Sequence, residues 1–289
     1  TRPAAIGSPR GRGLNVARTV AAALAQAHAA GLERLDGQLL LSLVLKQSRA
    51  WLIAHDTDEL SAGQAELFDA LCARRAGGEP LAYITGEREF HGLPLRVGPA
   101  VLDPRPDTET LVDWALELLP EGTTASVVDL GTGSGAIALA LKHRRPSARV
   151  TGVDLSPAAL AVASANGVRL DLAVEWCEGS WWQPLAGRRF ELVASNPPYI
   201  AGTDPHLVAL RHEPQMALTP GGDGLDALRA IVAGAPNHLV PGGWLLLEHG
   251  WDQADAVTAL LRHAGFTAPQ TRRDLAGQLR CTCARWAPP

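Results

Sequence analysis

The tetrapeptide Asn196-Pro197-Pro198-Tyr199 carries residue types suited to chemistry on an NH2 group. Its two prolines fix the backbone and remove two N–H donors, so carbonyl oxygens are left to accept hydrogen bonds. A planar NH2, on an amide or a base, is a poor nucleophile because its lone pair is delocalised. The Oδ1 atom of Asn196 and the carbonyl of Pro197 could bind its two hydrogens and stabilise charge that develops on nitrogen. A rigid proline turn that ends a strand is the alternative interpretation.

A glycine-rich loop indicates a second site. Residues 129–135 read Asp-Leu-Gly-Thr-Gly-Ser-Gly, directly after an apolar segment and directly before a predicted helix. Glycines there allow a tight turn and the close approach of a ligand. Asp154 ends the next predicted strand, and a carboxylate at that position can accept both ribose hydroxyls of a nucleoside. A plain turn followed by a helix-capping aspartate is the alternative.

The spelling of the loop favours one class of nucleoside. Dinucleotide sites have the pattern G-x-G-x-x-G, whereas this loop is G-x-G-x-G preceded by an aspartate. That spelling resembles the S-adenosylmethionine-binding motif of class I methyltransferases, which makes NAD the weaker interpretation. With S-adenosylmethionine in the loop, an NH2 held by Asn196 would take the methyl group by in-line displacement. S-adenosylhomocysteine would leave, without a metal or a strong base, and Tyr199 could pack near the sulfonium charge.

Two further segments have ambiguous roles. Trp181 and Trp182 follow a third predicted strand, between Asp154 and Asn196. Trp181 is a candidate wall for the adenine, and tryptophans packed in the core are the alternative. The segment Glu248-His249-Gly250 ends another predicted strand. Its sequence is equally compatible with a place near the site and with strand capping or packing.

The elements that would position these residues belong to two regions. Residues 14–76 predict a helical bundle, in which Ser61 and Gln64 form a capping box. Apolar residues recur there every four positions at Val16, Val20, Leu24 and at Leu35, Leu39, Leu43. Residues 79–102 alternate apolar residues with glycine and proline, which predicts a hairpin with its turn near His91-Gly92.

From about residue 107 the pattern predicts alternating helices and strands. The predicted strands are Ser126–Leu130, Arg149–Val153, Leu172–Trp176, Glu191–Ala194, Trp244–Glu248 and Arg280–Arg285. Such alternation is typical of a mostly parallel, doubly wound α/β sheet. Because ligands bind at the carboxyl ends of the strands in such sheets, the glycine loop, Asp154 and Asn196 should lie close together.

Composition limits the remaining function classes. The chain has 289 residues, 46% of them hydrophobic, and a formal net charge of −4. About two folded domains are expected, and the acidic balance argues against direct nucleic-acid binding. The sequence contains neither an apolar run long enough for a membrane span nor a secretory signal, so we expect a cytoplasmic protein. The four cysteines (Cys72, Cys177, Cys281 and Cys283) are expected as free thiols, and no metal-binding pattern is present.

The chain resembles the HemK/PrmC family from about residue 33 to its C-terminus. The resemblance lies in five segments in the family's order: 79–112 (EPLAYITGEREFHGLPLRVGPAVLDPRPDTETLV), 129–141 (DLGTGSGAIALAL), 195–207 (SNPPYIAGTDPHL), 213–229 (EPQMALTPGGDGLDALR) and 272–280 (RRDLAGQLR). That family methylates the side-chain amide nitrogen (N5) of the glutamine in the Gly-Gly-Gln loop of class I peptide-chain release factors.

The resemblance implies a domain layout and a set of site residues. The expected layout is a flexible tail (1–13), an N-terminal helical domain (14–78), a β-hairpin linker (79–104) and a Rossmann-like class I methyltransferase domain (105–289). The implied cofactor contacts are Gly131, Thr132, Gly133, Ser134, Gly135, Asp154, Trp181 and Asn196. The implied substrate contacts are Asn196, Pro197, Pro198 and Tyr199, of which Asn196, Pro197 and Tyr199 are the catalytic candidates. Arg105 and Glu109 are further candidates beside the site, with entry into a helix as their alternative role.

One position departs from the family, and three other functions stay open. Members often have an acidic residue just before the tryptophan at position 181, where this chain has Ser180. An acidic contact to the adenine amino group is therefore in doubt. The alternatives are a methyltransferase acting on an amino group of DNA adenine or an rRNA base, an inactive S-adenosylmethionine-binding partner subunit, and an NAD-dependent oxidoreductase.

Overall fold

The structure, a computed structural model, describes residues 18–288, which divide between Leu81 and Ala82 into two units. The predicted tail (1–13) and Val16 lie outside the described residues. The hairpin belongs to the second unit. The boundaries of the predicted domains stay predictions.

The first unit is helical, as the sequence predicts. Its helices are α1 (Val20–Ala29), α2 (Arg34–Leu45), α3 (Arg49–Ala54) and α4 (Ala62–Ala76). The predicted capping box is confirmed: Ser61 Oγ accepts from the backbone N–H of Gln64 at 3.3 Å, and Gln64 Oε1 accepts from that of Ser61 at 2.9 Å.

The leucine spacing correctly predicts helix α2, but the spaced leucines do not form its buried face. Leu35 and Leu43 are 46% and 41% exposed, whereas Leu40 and Leu41 are fully buried. Two contacts of α2 explain which of its faces is buried. The buried Asp36 forms an ion pair with Arg75 of α4 at 2.6 Å, and Gly37 permits a close approach to α1.

The division between the units falls within the short helix α5 (Leu81–Thr85). The second unit continues with the antiparallel pair of β1 (Glu87–Phe90) and β2 (Leu93–Arg96). His91 and Gly92 both have positive φ, 50° and 82°, as a tight two-residue hairpin turn requires. The predicted hairpin and the position of its turn are confirmed.

A seven-stranded sheet forms the rest of the unit, in the order β5-β4-β3-β6-β7-β9-β8. Strands β3 to β7 are parallel and β9 is antiparallel to both of its neighbours. The strands are β3 (Ser126–Leu130), β4 (Arg149–Asp154), β5 (Glu175–Glu178), β6 (Phe190–Ser195), β7 (Leu239–Glu248), β8 (Phe266–Arg273) and β9 (Leu279–Trp286). The helices are α6 (Glu109–Leu118), α7 (Ala136–Arg144), α8 (Pro157–Leu170), α9 (Asp226–His238) and α10 (Ala254–His263).

Helices cover both faces of this sheet, as a doubly wound fold requires. Adjacent strand residues point into different cores: Val127 packs with residues of α6 and α7, and Val128 packs with residues of α9 and α10. Strand β8 was not predicted because only Phe266 of its eight residues is buried, and an edge strand of this kind lacks an apolar pattern. Among residues 18–288, no helix is long and apolar enough to cross a membrane.

Candidate functional site

Strand register brings the predicted site residues to one edge of the sheet. Leu130 of β3 pairs with Val153 of β4 on one side and with Ser195 of β6 on the other. The glycine loop that follows Leu130 therefore lies between Asp154 and Asn196. Ser195 pairs in turn with Leu247 of β7, which places Glu248 beside Asn196.

The glycine loop has the backbone that its sequence predicts. Gly131, Gly133 and Gly135 all adopt positive φ, at 74°, 54° and 84°. The N–H groups of Gly131 and Thr132 both donate to the carbonyl of Val153, at 2.8 and 2.9 Å. The loop is thus fastened to the end of β4, and its fold depends on three conformations that L-residues rarely adopt.

A buried aspartate stabilises the glycine loop through two hydrogen bonds. Asp129 is fully buried, and its Oδ2 atom accepts from the Thr132 hydroxyl at 2.6 Å and from the Ala138 N–H at 3.3 Å. Burial raises the pKa of Asp129 to about 7. The side chain therefore connects the loop to the first turn of α7.

Asp154 lines the cleft beside the loop, where the sequence places a ribose ligand. Its carboxylate accepts from the Gly133 N–H at 2.8 Å and from the Ser156 N–H at 2.9 Å. Burial raises the pKa of Asp154, and these backbone N–H groups oppose that shift. The carboxylate retains lone pairs for further donors, because each oxygen can accept more than one hydrogen bond.

The two adjacent tryptophans have different surroundings. Trp181 lines the cleft, and a Cβ atom built on Gly131 would lie 3.4 Å from its ring. Trp182 instead donates to the carbonyl of Ile231 at 3.1 Å and stacks on His238 with ring centroids 4.8 Å apart. Trp182 thus packs against α9, whereas the role of Trp181 as a wall for the adenine stays a prediction.

The carboxamide of Asn196 is held by a residue that the sequence analysis did not single out. Its Nδ2 atom donates to Thr108 Oγ1 at 3.1 Å. Both residues line the cleft, and Thr108 is 4% exposed. No described residue donates a hydrogen bond to the Oδ1 atom of Asn196, so this oxygen is the acceptor available to a ligand.

Tyr199 joins this region to the end of β7. Its hydroxyl donates to Glu248 Oε1 at 3.1 Å, and burial and that carboxylate raise the pKa of Tyr199 well above its ordinary value. Glu248 is 1% exposed, and burial raises its pKa to about 7, against the lowering effect of the Thr108 hydroxyl and of Arg280. Glu248 therefore lies near the site, in contact with Tyr199. This is one of the two placements that the sequence allows.

His249 has the other role, packing in the core. It is fully buried, and its ring nitrogens contact the Gly250 carbonyl and the Thr282 hydroxyl, each at 2.8 Å. Burial lowers its pKa, which favours the neutral ring.

The remaining predicted residues are spread around the cleft. Pro198 and the exposed Ser180 line it, whereas Pro197 is buried. Arg105 also lines the cleft and donates to the carboxylate of the buried Glu213. The carboxylate of Glu109 accepts from the N–H of His91 at 2.9 Å, which places it at the hairpin turn and not among the cleft residues.

Asn166 is a second position that the sequence analysis missed. This fully buried side chain accepts from the Arg96 N–H at 2.7 Å and donates to the carbonyls of Arg96 and Ser134, both at 3.0 Å. It therefore fastens the glycine loop to the hairpin. A single asparagine within a helix gives no local signal of such a role.

The cleft combines apolar walls with a carboxylate. Val153, Leu155 and Trp181 are apolar lining residues, and Asp154 is an acidic one. Because Gly131 has no Cβ atom, the loop backbone and the Trp181 ring lie close together on one side of the cleft. Within residues 18–288, no group of histidine, cysteine, aspartate and glutamate side chains has the arrangement of a metal site.

Two family models match the sequence. Residues 16–86 match the PrmC N-terminal domain, and residues 108–225 match the methyltransferase small domain. Solved structures agree on the fold. The ribosomal protein L11 methylase of Lactobacillus delbrueckii subsp. bulgaricus has a TM-score of 0.51 at 17% identity, covering 67% of this chain and 86% of its own. The 16S rRNA N2 G1207 methyltransferase of T. thermophilus has a TM-score of 0.53 at 22% identity, covering 69% of this chain and 49% of its own.

Curated relatives are much more similar and extend over most of the chain. The release factor glutamine methyltransferase of Xylella fastidiosa (strain Temecula1) is 51% identical over 257 residues, which is 88% of this chain and 94% of the relative. Its counterpart in Bordetella pertussis is 51% identical over 250 residues, 86% of this chain and 93% of the relative. With the cleft, the glycine loop and the Asn196 turn in place, these similarities show that the chain belongs to the release factor glutamine methyltransferase family.

Proposed function

We propose that this protein transfers a methyl group from S-adenosylmethionine to the N5 atom of a glutamine side chain. The glutamine is that of the Gly-Gly-Gln loop in class I peptide-chain release factors, and the reaction takes place in the cytoplasm. One observation carries the chemistry: Asn196 lies beside the glycine loop with its amide nitrogen engaged by Thr108 and its oxygen available. The family of the chain supports the choice of substrate.

In this proposal the glycine loop (131–135), Asp154 and Trp181 hold the cofactor. Residues 131–134, Asp154 and Trp181 line the cleft, whereas Gly135 is not a lining residue. When bound, S-adenosylmethionine supplies an electrophilic methyl group on a sulfonium. The loop contributes backbone atoms at close range, the carboxylate of Asp154 accepts the ribose hydroxyls, and Trp181 provides an apolar wall for the adenine. Product S-adenosylhomocysteine is neutral at sulfur, so its release needs no compensating charge in the cleft.

Asn196 and its neighbours act on the glutamine. Its Oδ1 atom and the Pro197 carbonyl accept the two amide hydrogens, which orients the nitrogen and stabilises its growing positive charge. Pro198 and the ring of Tyr199 shape the pocket for the planar amide. After transfer, the nitrogen loses one proton to solvent, and no side chain of the site has to act as a strong base.

The substrate class is tested with tritium-labelled S-adenosylmethionine and three acceptors: an unmethylated class I release factor, duplex DNA and rRNA. We expect label only on the release factor. Label on either nucleic acid would refute the choice of substrate and favour the base-methylating alternative. Binding of S-adenosylmethionine without transfer to any acceptor would favour an inactive partner subunit.

A further inference from the structure

Thr108 lies directly before α6 and ends a single 3-10 turn, Pro106–Thr108, so its backbone is already helical at φ −66° and ψ −20°. Its side chain makes no capping hydrogen bond with α6. The Thr108 oxygen instead accepts from Asn196, although the two residues are 88 positions apart. The side chain is thus bonded to the site and not to its own helix.

Glu248 ends β7 beside Asn196, because Ser195 pairs with Leu247. This carboxylate is almost completely buried, and its Oε1 atom accepts from the Tyr199 hydroxyl at 3.1 Å. Its Oε2 atom has no hydrogen-bond partner among the described residues. The hydrogen bond that holds Asn196 therefore comes from Thr108 and not from Glu248.

We infer that Thr108 is a positioning residue that sets the orientation of the Asn196 carboxamide for methyl transfer. The inference rests on the proposed function. If the carboxamide turned over, Asn196 would present its own NH2 to the NH2 of the substrate, and two donors cannot bond to each other. With its NH2 group bonded to Thr108, Asn196 keeps its Oδ1 atom available to the substrate.

Steady-state kinetics tests the effect on turnover. We expect Thr108→Val to lower kcat about 10- to 100-fold, the range seen when supporting hydrogen bonds around a site are removed. The KM for the release factor and the Kd for S-adenosylmethionine should change less than about threefold. Thr108→Ser, which keeps the hydroxyl, should recover most of the lost kcat.

Thr123→Val is the matched control. The Thr123 hydroxyl accepts from the Ala125 N–H at 3.2 Å in a turn before β3, outside the cleft. This variant loses one hydroxyl and one hydrogen bond, as Thr108→Val does, and its kcat should match that of the wild type. An equal fall in kcat for Thr108→Ser and Thr108→Val would overturn the inference.

An NMR measurement tests the hydrogen bond without any substrate. The chain has four asparagines, so selective 15N labelling gives four side-chain NH2 groups, and loss of one in Asn196→Ala assigns the pair of interest. We expect slow exchange of one Asn196 amide proton in the wild type and in Thr108→Ser, and faster exchange in Thr108→Val. Equal exchange in all three would refute the hydrogen bond. Because no release factor is present, failure of the proposed function would leave this result unaffected.

Discussion

Three glycines surround the ring of Trp176, and one of them allows a prediction worked from distances. A Cβ atom on Gly152 would lie 2.5 Å and 2.6 Å from two ring carbons of Trp176, and 3.0 Å from the hydroxyl oxygen of Thr132. Carbon atoms normally approach to 3.5–4.0 Å, so the ring would have to move by about 1 Å. Cβ atoms built on Gly135 and Gly167 would lie 3.0 Å and 3.6 Å from other carbons of the Trp176 ring. The ring is therefore confined on those sides as well.

Gly152→Ala should therefore behave as an overpacked core. We expect the free energy of unfolding to fall by about 3 kcal/mol, the upper end of the usual range of 1–3 kcal/mol for such changes. The Kd for S-adenosylmethionine should rise roughly tenfold, about 1.4 kcal/mol, because Gly152 precedes Asp154 by two residues and its new methyl presses on Thr132. Urea denaturation and calorimetric titration measure the two effects.

Two further variants test whether the clash with the Trp176 ring causes the loss of stability. Gly98→Ala adds a methyl where no atom lies within 4 Å and should change the free energy of unfolding by less than about 0.5 kcal/mol. Trp176→Leu removes the obstructing ring, so adding Gly152→Ala to it should cost clearly less than in the wild type. Equal stability of Gly152→Ala and Gly98→Ala, or strictly additive effects with Trp176→Leu, would refute the argument.

Three further predictions concern the site itself. Asn196→Ala should lower kcat about 30- to 1000-fold, by analogy with the 2–4 kcal/mol lost with one positioned hydrogen-bonding group, while cofactor binding persists; near-normal turnover would remove its proposed role. Asp154→Ala should raise the Kd for S-adenosylmethionine about 10- to 100-fold in calorimetric titration, since charged hydrogen bonds contribute about 1.5–3 kcal/mol; an unchanged Kd would exclude Asp154 from the site. Asp129, whose pKa rises from 3.8 to about 7 on folding, stabilises the folded state below pH 3.8 and loses that contribution as the pH rises through 7. The stability of Asp129→Asn relative to wild type should therefore increase from pH 4 to pH 8, by at most ~4 kcal/mol in urea denaturation, and a pH-independent difference would contradict the assignment.

The sequence predicts those parts of the site that depend on local signals. Strand β3 has the predicted bounds, Ser126–Leu130, because a short apolar run ends directly at glycines. Ser156 and Pro157 start α8 as predicted, since capping and proline preferences act within one turn. These signals fix which residues follow β3, β4 and β6, and hence which loops share one edge of the sheet.

Contacts between distant residues escape such reasoning. Trp181 and Trp182 are indistinguishable in sequence, and they differ because Gly234 of α9 makes room for the second ring: its Cβ would lie 2.2 Å from Trp182. Thr108 reads as an ordinary helix start, and its partner Asn196 lies on another strand end. The exposed leucines of α2 show the same limit, because the partner helix and not the spacing decides which face is buried.

The most direct test of the account is to locate the methyl group. Purified protein, S-adenosylmethionine and an unmethylated class I release factor are incubated, and the peptides are analysed by fragmentation mass spectrometry. We expect one methyl group, on the side-chain amide of the glutamine in the Gly-Gly-Gln loop, and none when that glutamine is changed to alanine. A methyl group on any other residue, or an equal amount in the alanine variant, would contradict it.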